Sequence, residues 1–497
     1  MTIKKQPTVA IIGSGFSGMT AAIQIKMKFG IKARIFELNE DIGGTWKNNV
    51  YPNCACDIPS HLYSFSFELN PNWSHTYSTQ PEILEYMRSV ARKHELYEHA
   101  YLNTEVVATT WLENIQQWQI DYRTNGDSEI KTEYFNIVFT GVGPLRIPHI
   151  PKEYQNFTGT IVHTAYWDSN IDFTNKKIAI VGNGASAVQA IPALQKVAKH
   201  MYSYQRTATW VAHRYQMKYH TFFKILFRWF PFLMRLHRIT LYLIHESTFP
   251  LFQKSNSYFA KFVRAWFARD MRKRLERKGR ADLVPLLEPK YAPGCKRIAR
   301  TENYLEALAE ENVTVKMGNI QSVEGRTILH EDGSTAEVDI LVLATGFNVS
   351  GFLGDLKVTG RNNQTLNELW SGGNYPATYK TMTVNGFPNF FLLLGPNSGL
   401  GHNSVVIMIE CQVEYAISCM KYMMRNNVSA LEPKLEQQSK SVDKIQDDLQ
   451  GTTWASGGCG SYYKKDGKVF ALWSSTVFSY WRNMKFDSKD FILYHDH

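Results

Sequence analysis

Cysteine is scarce in this chain, with only six among 497 residues. No two of them form a C-x-x-C pair, and none is spaced with histidines as in a zinc site. The sequence therefore predicts neither a structural metal nor a disulfide framework. We interpret the cysteines as reduced thiols of a cytosolic protein. They stand at positions 54, 56, 295, 411, 419 and 459.

A long uninterrupted apolar run is also missing. The chain begins MTIKKQPTVAIIG, where two lysines lead directly into a short apolar run without a cleavage site, so no signal peptide is predicted. Further along, charged residues such as Lys224, Arg228 and Arg235 interrupt every apolar run before it reaches the roughly 18 residues of a membrane span. These absences predict a cytoplasmic location.

Acidic residues are scarce in one segment. From Lys218 to Arg280 the chain has 15 basic and 3 acidic residues, an excess larger than the net charge of +10 of the whole chain. The positive charge of the chain is therefore concentrated in this one segment, and nucleic-acid binding is not predicted. Aromatic residues are interleaved with these cations, which suits peripheral contact with a membrane or the lining of a channel for a hydrophobic substrate. The alternative is an ordinary amphipathic helical subdomain with a solvated basic face.

Two glycine-rich turns are present, and the first opens the chain. The run VAIIGSGFSGMTAAIQ predicts a strand, a tight turn with Gly13, Gly15 and Gly18, and a helix whose N-terminus faces a pyrophosphate. Glu37 ends the next strand, 19 residues after Gly18, where an acid would hold a ribose hydroxyl. This spacing predicts a dinucleotide site.

The second turn lies in KKIAIVGNGASAVQAI, with Gly182, Gly184 and Ala187 at the same spacing. Its second strand ends near Arg206, 19 residues after Ala187, in place of an acid. An arginine there could pair with a 2′-phosphate, which favours NADP over NAD. A solvated surface arginine is the alternative.

Together the turns predict FAD in the first unit and NADPH in the second. The predicted fold class is α/β, with two Rossmann-like doubly wound nucleotide-binding domains and a helical insertion. We assign 1–150 plus 340–497 to a discontinuous FAD-binding domain and 151–210 plus 290–339 to the NADP-binding domain, with 211–289 as the helical insert.

A further string stands between the two turns, and it carries a family resemblance. Phe157, Gly159, His163 and Trp167, followed by Asp168, stand at fixed spacing. The string resembles the fingerprint of type I Baeyer–Villiger monooxygenases within the flavin-containing monooxygenases. The resemblance places the histidine in a linker, where it would organise domain motion and NADPH handling, so we do not expect a general base.

The resemblance also implies cofactor contacts. For FAD these are Gly13, Ser14, Gly15, Phe16, Ser17, Gly18, Glu37, Gly44, Thr45, Trp46, Asp57, Tyr63 and Val106. For NADP they are Gly182, Asn183, Gly184, Ala185, Ser186, Ala187, Arg206, Thr207 and Lys296, and Arg297 is expected beside the flavin.

The run Pro293-Gly294-Cys295-Lys296-Arg297 resembles a family loop in which the lysine reaches the NADP 2′-phosphate and the arginine lies by the flavin. A permanently charged guanidinium held by Asp57 would stabilise a peroxyanion without donating a proton. We therefore predict Arg297 and Asp57 as the catalytic pair. A purely structural salt bridge between domains is the alternative.

The implied function is an NADPH- and FAD-dependent monooxygenase. It would insert one oxygen of dioxygen beside a ketone carbonyl through a flavin C4a-peroxide, giving an ester or lactone. The expected substrate is a small hydrophobic or aromatic ketone, or a sulfide. One alternative is a flavin-containing monooxygenase that oxidises sulfur or nitrogen. A second is a membrane-associated NADPH-flavin redox protein that does not oxygenate.

Overall fold

The computed structural model describes residues 6–349, 352–371 and 374–495. Strands occur throughout the described chain, most of them short. They are β1 (Val9–Ile12), β2 (Arg34–Phe36), β3 (Ala100–Tyr101), β4 (Thr104–Leu112), β5 (Gln117–Thr124), β6 (Lys131–Phe135), β7 (Ile137–Thr140), β8 (Thr160–His163), β9 (Lys177–Val181), β10 (His200–Gln205), β11 (Val211–Ala212), β12 (Ala299–Arg300), β13 (Val313–Met317), β14 (Ile320–Glu324), β15 (Thr327–His330), β16 (Thr335–Glu337), β17 (Ile340–Leu343), β18 (Lys357–Thr359), β19 (Phe390–Leu392), β20 (Val428–Pro433), β21 (Lys464–Lys465), β22 (Lys468–Val469) and β23 (Phe491–His495).

The helices vary from one turn to six. They are α1 (Phe16–Phe29), α2 (Thr45–Asn48), α3 (Gln80–Lys93), α4 (Ala185–Leu194), α5 (Thr221–Trp229), α6 (Pro231–Glu246), α7 (Pro250–Gln253), α8 (Tyr258–Arg277), α9 (Val284–Leu287), α10 (Tyr304–Leu308), α11 (Leu366–Leu369), α12 (Val405–Asn426), α13 (Leu435–Gln450), α14 (Thr453–Ser456) and α15 (Val477–Asn483).

The first sheet is parallel, with strand order β19-β7-β1-β2-β3. Its strand β1 is buried along its whole length, as expected for a strand covered on both faces. The helix α12, from the C-terminal part of the chain, packs against α1. Because β19 and α12 come from beyond residue 389, this unit is built from both ends of the chain.

The second sheet is also parallel, with strand order β13-β10-β9-β17-β8. The predicted α/β class with two doubly wound units is therefore confirmed. One predicted boundary needs correction, because β17 pairs with both β8 and β9. A boundary between 339 and 340 would separate this strand from its hydrogen-bonding partners, so the second unit extends to Leu343.

The segment predicted as a helical insert holds α5 to α9, between β11 and β12. Helices α5 and α6 pack together as a hairpin. The hairpin is fixed to the first unit by Arg238 of α6, whose Nη1 donates hydrogen bonds to the carbonyls of His61 and Leu62 at 2.6 and 3.1 Å. The insert is thus helical, and hydrogen bonds from α6 hold it against the first unit.

The interpretation of all six cysteines as reduced thiols is wrong for two of them. Cys295 and Cys459 form a disulfide, with Cα atoms 6.1 Å apart. The two residues are separated by 164 positions in sequence, and the fold brings their loops together. The other four, Cys54, Cys56, Cys411 and Cys419, are buried free thiols.

Gly159 of the fingerprint is required by close packing beside β8. A Cβ at this position would lie 2.6 Å from the carbonyl oxygen of Asp339 and 2.7 Å from ring atoms of Phe157. The Phe157 ring is itself buried in a cluster with Ala179 and Leu341 of the second sheet. These two fingerprint residues therefore fix the edge of the sheet.

We expect Gly159→Ala to lower the free energy of unfolding by about 2 kcal/mol, because the added methyl group overpacks a closed site. Gly451→Ala is the matched control, since Gly451 has φ −78° and a Cβ on it would have no atom within 4 Å. Thermal unfolding of the two variants provides the measurement. Equal shifts in Tm for both would contradict this explanation of the fingerprint.

Candidate active site

Two glycines at the turn between β1 and α1 have no room for a Cβ. Gly13 has φ +95°, and a Cβ there would lie 2.7 Å from the carbonyl oxygen of Gly141. A Cβ at Gly18 would lie 1.9 Å from the carbonyl oxygen of Gly13. The turn therefore closes tightly onto β7, and α1 begins beside it with its N-terminal amides directed at the turn.

Glu37 lies at the end of β2, as the spacing predicts, and is only 4% exposed. Its Oε2 accepts hydrogen bonds from the Ser14 amide at 2.8 Å and the Ser14 hydroxyl at 2.6 Å. The other carboxylate oxygen accepts from the Asn39 amide at 2.9 Å. The acid is thus held rigidly against the first glycine turn.

The Gly43-Gly44 turn packs directly on the first turn. Gly44 has φ +53°, and a Cβ on it would lie 2.8 Å from the Cα of Gly15. Thr45 and Trp46 follow in α2, and the indole of Trp46 donates to the Tyr63 hydroxyl at 3.2 Å. The sequence-predicted flavin residues of these two segments therefore lie together.

The remaining predicted flavin residues are core residues. Phe16 and Ser17 are buried at the start of α1, and the Phe16 ring lies 5.1 Å from that of Tyr63. Val106 is buried in β4, in a separate apolar cluster with Phe36 and Tyr122. These positions support the first unit from within.

The second turn repeats the geometry at the carboxyl end of β9. Gly182 has φ +106°, and a Cβ there would lie 2.5 Å from the carbonyl oxygen of Ala344. Gly184 instead has open space where a Cβ would stand. The side-chain amide of Asn183 donates to Gln205 and to the Thr207 carbonyl at 2.9 and 2.7 Å. The turn therefore leaves room for a ligand beside Gly184.

A cleft of about 1100 Å³ lies between the two units. Its lining includes most of the predicted NADP residues and four of the predicted flavin residues. They are Thr45, Trp46, Asp57, Gly182, Asn183, Gly184, Ala185, Ser186, Arg206, Thr207, Lys296 and Arg297. Ala187 is absent from this lining because it is fully buried on the inner face of α4.

Two cations meet at one end of this cleft. The Nζ of Lys296 donates to the Thr207 hydroxyl at 2.7 Å and lies 5.1 Å from the centre of the Tyr291 ring. The pKa of Lys296 is lowered, first by burial and then by the positive charge of Arg206. Among the described residues no carboxylate forms a salt bridge with either cation. An anionic group bound between them would relieve this repulsion.

Asp57 and Arg297 form a bidentate ion pair across the cleft. The Nε and Nη2 of Arg297 donate to the two carboxylate oxygens at 2.8 and 2.7 Å. Burial disfavours the charged form of Asp57, but the charge and hydrogen bonds of Arg297 outweigh it and hold the pKa of the carboxyl below its usual range. Arg297 likewise has a raised pKa because Asp57 outweighs its burial. Both groups are charged at neutral pH.

Two tyrosines beside Arg297 have no sequence signal that could have found them. Tyr462 lines the cleft, and its hydroxyl donates to that of Tyr463 at 3.2 Å. Burial raises the pKa of Tyr463, against the opposing effect of the nearby Arg297 charge. The disulfide from Cys459 to Cys295 ties this tyrosine loop to the loop that carries Lys296 and Arg297.

Gln189 of α4 was also missed. Its side-chain oxygen accepts from the Tyr51 hydroxyl at 2.9 Å, and its amide donates to the Ala55 carbonyl at 2.9 Å. This glutamine therefore joins the second unit to the segment that carries Asp57. A hydrophobic helix pattern with one glutamine gives no reason to expect this contact.

His163 lies behind the cleft and stays neutral. Its Nδ1 accepts a hydrogen bond from the Ala165 amide at 3.0 Å, and its Nε2 lies 3.3 Å from the hydroxyl of Thr345, which lines the cleft. Burial is the main cause that lowers the pKa of His163 to about 4. This geometry supports a positioning residue and argues against a general base.

The end of the fingerprint is also structural. The Trp167 ring stacks on that of Phe173 with centroids 5.1 Å apart. The Asp168 carboxylate accepts from the Asn170 amide at 2.9 Å, which closes a turn. Neither residue lines the cleft.

The chain's residues fit two dinucleotides. Each parallel sheet has a glycine turn whose first glycine, Gly13 or Gly182, leaves no room for a Cβ, and a helix begins after each turn. Glu37 follows the first turn, where a ribose hydroxyl would lie, and two cations, Arg206 and Lys296, line the cleft beside the second, where a 2′-phosphate would lie. The fold and site thus define an enzyme of the class that holds two nucleotide cofactors around one cleft.

Comparison with known proteins agrees with this class. The family model described as flavin-binding monooxygenase-like matches residues 5–387. A Baeyer-Villiger monooxygenase of Pseudomonas aeruginosa is 36% identical over 94% of this chain and 87% of its own length. One from Streptomyces coelicolor is 34% identical over 96% of this chain and 90% of its own length. The chain belongs to the flavin-binding monooxygenase-like family, and the predicted family is confirmed.

Solved structures show the same fold along nearly the whole chain. A complex of the enzyme OTEMO with FAD and NADP has a TM-score of 0.86 at 25% identity, covering 98% of this chain and all of that one. A steroid monooxygenase bound to NADP also has a TM-score of 0.86 at 25% identity, covering 99% of this chain. The insert therefore lies within a shared architecture.

We expect Asp57→Asn to destabilise the protein by about 2 kcal/mol at pH 7, because Arg297 loses a charged hydrogen-bond acceptor. Since the folded-state pKa of Asp57 is depressed, its stabilisation is present above its unfolded pKa of about 4 and is lost as the pH falls through the folded pKa. The Tm difference between the wild type and the variant should therefore shrink below about pH 4. A constant difference down to about pH 3 would contradict the pairing.

Proposed function

We propose that this protein is an FAD-dependent, NADPH-using Baeyer–Villiger monooxygenase. It inserts one oxygen atom beside a ketone carbonyl and so forms an ester or a lactone. The observation that carries the proposal is the Asp57–Arg297 pair, which places a permanent, oriented cation where the two nucleotide units meet. The names of the relatives and the FAD and NADP bound in the OTEMO complex support it and confirm the predicted cofactors.

The cofactors supply the redox chemistry. When bound, reduced flavin passes electrons from NADPH to dioxygen, so that one oxygen atom enters the ketone and the other leaves as water. Gly13, Gly18 and Glu37 would hold FAD at the first turn, and the second turn with Arg206 and Lys296 would hold NADP. The protein then has to orient the reactants and control charge in the cleft.

Arg297 supplies a positive charge in the cleft. Its guanidinium keeps a positive charge at every relevant pH, and Asp57 fixes its plane with two hydrogen bonds. A fixed cation stabilises the negative charge of a nucleophilic oxygen and gives it no proton. This preserves attack on a carbonyl, whereas a protonated oxygen would favour electrophilic attack on sulfur or nitrogen.

The substrate is proposed to be a small hydrophobic or aromatic ketone. The lining of the cleft supports this proposal, since Trp46, Tyr51 and Tyr462 are part of it. Aromatic surfaces of this kind bind apolar rings and leave one carbonyl to be oriented by polar groups. A sulfide could bind the same surfaces, and the charge on Arg297 makes it the poorer substrate.

The location is a proposal as well: cytoplasmic, with peripheral membrane contact through the basic insert. No helix within the described part of the chain is long and apolar enough to cross a bilayer. The support for surface contact lies in the exposed side chains of α5 and α6.

The reaction can be tested on Arg297→Ala. We expect ester formation from a panel of ketones to fall about 100- to 1000-fold, because one oriented charge that stabilises the reacting oxygen is lost. NADPH should still be oxidised, with hydrogen peroxide in place of ester. Product identification and peroxide assay under air provide the measurement.

Arg214→Ala is the matched control for that variant. Arg214 forms a similar bidentate pair with Glu302, at 2.8 and 2.9 Å, away from the cleft lining. The Arg214→Ala variant should leave the ratio of ester to peroxide unchanged. Full esterification by Arg297→Ala would refute the assigned role, and a wild type that forms no ester from any ketone would refute the proposed reaction.

Nucleotide preference tests the two cations. In Arg206→Gln and Lys296→Gln we expect the KM for NADPH to rise by about 10- to 100-fold, because each loses a charged hydrogen bond to the 2′-phosphate. The KM for NADH should change little, since NADH has no such phosphate. Arg326→Gln, on the exposed surface of the same unit, serves as control. Equal losses with both nucleotides would overturn the assignment.

A further inference from the structure

The outer face of the α5–α6 hairpin is apolar. On α5, Phe222, Ile225 and Trp229 recur at helical spacing, and each is between 50% and 74% exposed. A helix that faces water carries polar residues at such positions. Exposed apolar stripes of this kind mark a surface that binds something else.

Helix α6 continues the pattern with a four-residue stripe. Phe232, Leu236, Ile239 and Leu243 are between 53% and 63% exposed. The opposite face of α6 turns inward, where Met234, Arg238 and His245 are buried. The stripe is therefore a surface distinct from the face of α6 that packs into the core. We call these seven residues of α5 and α6 the apolar face.

Every charged lysine, arginine, aspartate or glutamate side chain in the segment that carries the apolar face is basic. Residues 218–245 contain no aspartate or glutamate. Arg238 points inward, Lys224 is half-buried, and the other three cations are exposed: Lys218, Arg228 and Arg235. A partner that binds this face must therefore combine an apolar region with negative charges next to it.

We propose that the apolar face docks on an anionic lipid surface, with α5 and α6 lying in the plane of the membrane. A bilayer presents hydrocarbon to Trp229 and the leucines and anionic headgroups to the surrounding cations. A second copy of the chain is the poorer occupant, because an isologous contact would bring four cations against four like charges. The helices are too short and too charged to insert across the bilayer.

The anchoring of α6 makes the surface rigid before it binds. Arg238 donates to the carbonyls of His61 and Leu62, and the ring of His245 lies 3.0 Å from the carbonyl of His402. Both contacts are made by the inward face. Substitutions on the outward stripe should therefore leave the fold intact, which makes the proposal testable by surface variants.

The test is co-sedimentation of the full-length FAD-bound protein with vesicles, which needs no enzymatic activity and so is independent of the proposed reaction. Vesicles of phosphatidylcholine are compared with vesicles containing about one third phosphatidylglycerol. We expect binding that prefers the anionic vesicles and weakens between about 50 and about 500 mM salt.

Two sets of variants separate the contribution of the cations from that of the apolar side chains. Lys224→Gln with Arg235→Gln should weaken binding about 25-fold, since each cation near an anionic bilayer contributes about fivefold. Trp229→Ser with Leu236→Ser and Leu243→Ser should weaken it at least about tenfold. Flavin absorbance and Tm are measured in each variant to establish that the fold is retained.

The matched controls are Ile130→Ser and Leu435→Ser, at residues 59% and 60% exposed outside the insert. They should bind vesicles like the wild type. The proposal is overturned if the stripe variants bind as well as these controls or if anionic lipid has no effect. It is also overturned if the wild type is a dimer that the stripe variants convert to monomer.

Discussion

The ion pair between Asp57 and Arg297 is the interaction on which the site depends. The two residues are separated by 240 positions and belong to segments beside different nucleotide units. Each would be costly to leave charged without the other in a partly closed cleft, so the pair fixes how the segments meet. Because the pair is bidentate, the guanidinium plane is oriented before any reactant arrives.

Several other contacts support this junction. Gln189 ties the helix after the second turn to Tyr51 and Ala55, close in sequence to Asp57. The disulfide between Cys295 and Cys459 holds the arginine loop against the loop of Tyr462. The site is therefore built from loops that lie far apart in the chain and are joined by separate contacts.

The α5–α6 hairpin of the insert has two faces with different environments. Its inward face is polar in a few buried places, where Arg238 and His245 bond to carbonyls of the first unit. Its outward face is apolar and bordered by cations. The sequence showed this composition clearly, but an amphipathic pattern does not say which stripe is covered. Only the packing of the hairpin decides that the apolar stripe is the one left in contact with solvent.

By itself the sequence determined the two dinucleotide units, because the glycine turns, Glu37 and Arg206 follow local rules of strand, turn and helix. It also predicted that Asp57 and Arg297 form a pair, through resemblance to a family, and the two side chains do pair. Tertiary structure alone decided that Gly159 packs on Asp339, that Cys295 meets Cys459, and that Tyr462 lies in the cleft. The physical reason is that these contacts join residues far apart in the chain, and spacing in sequence carries no information about such distances.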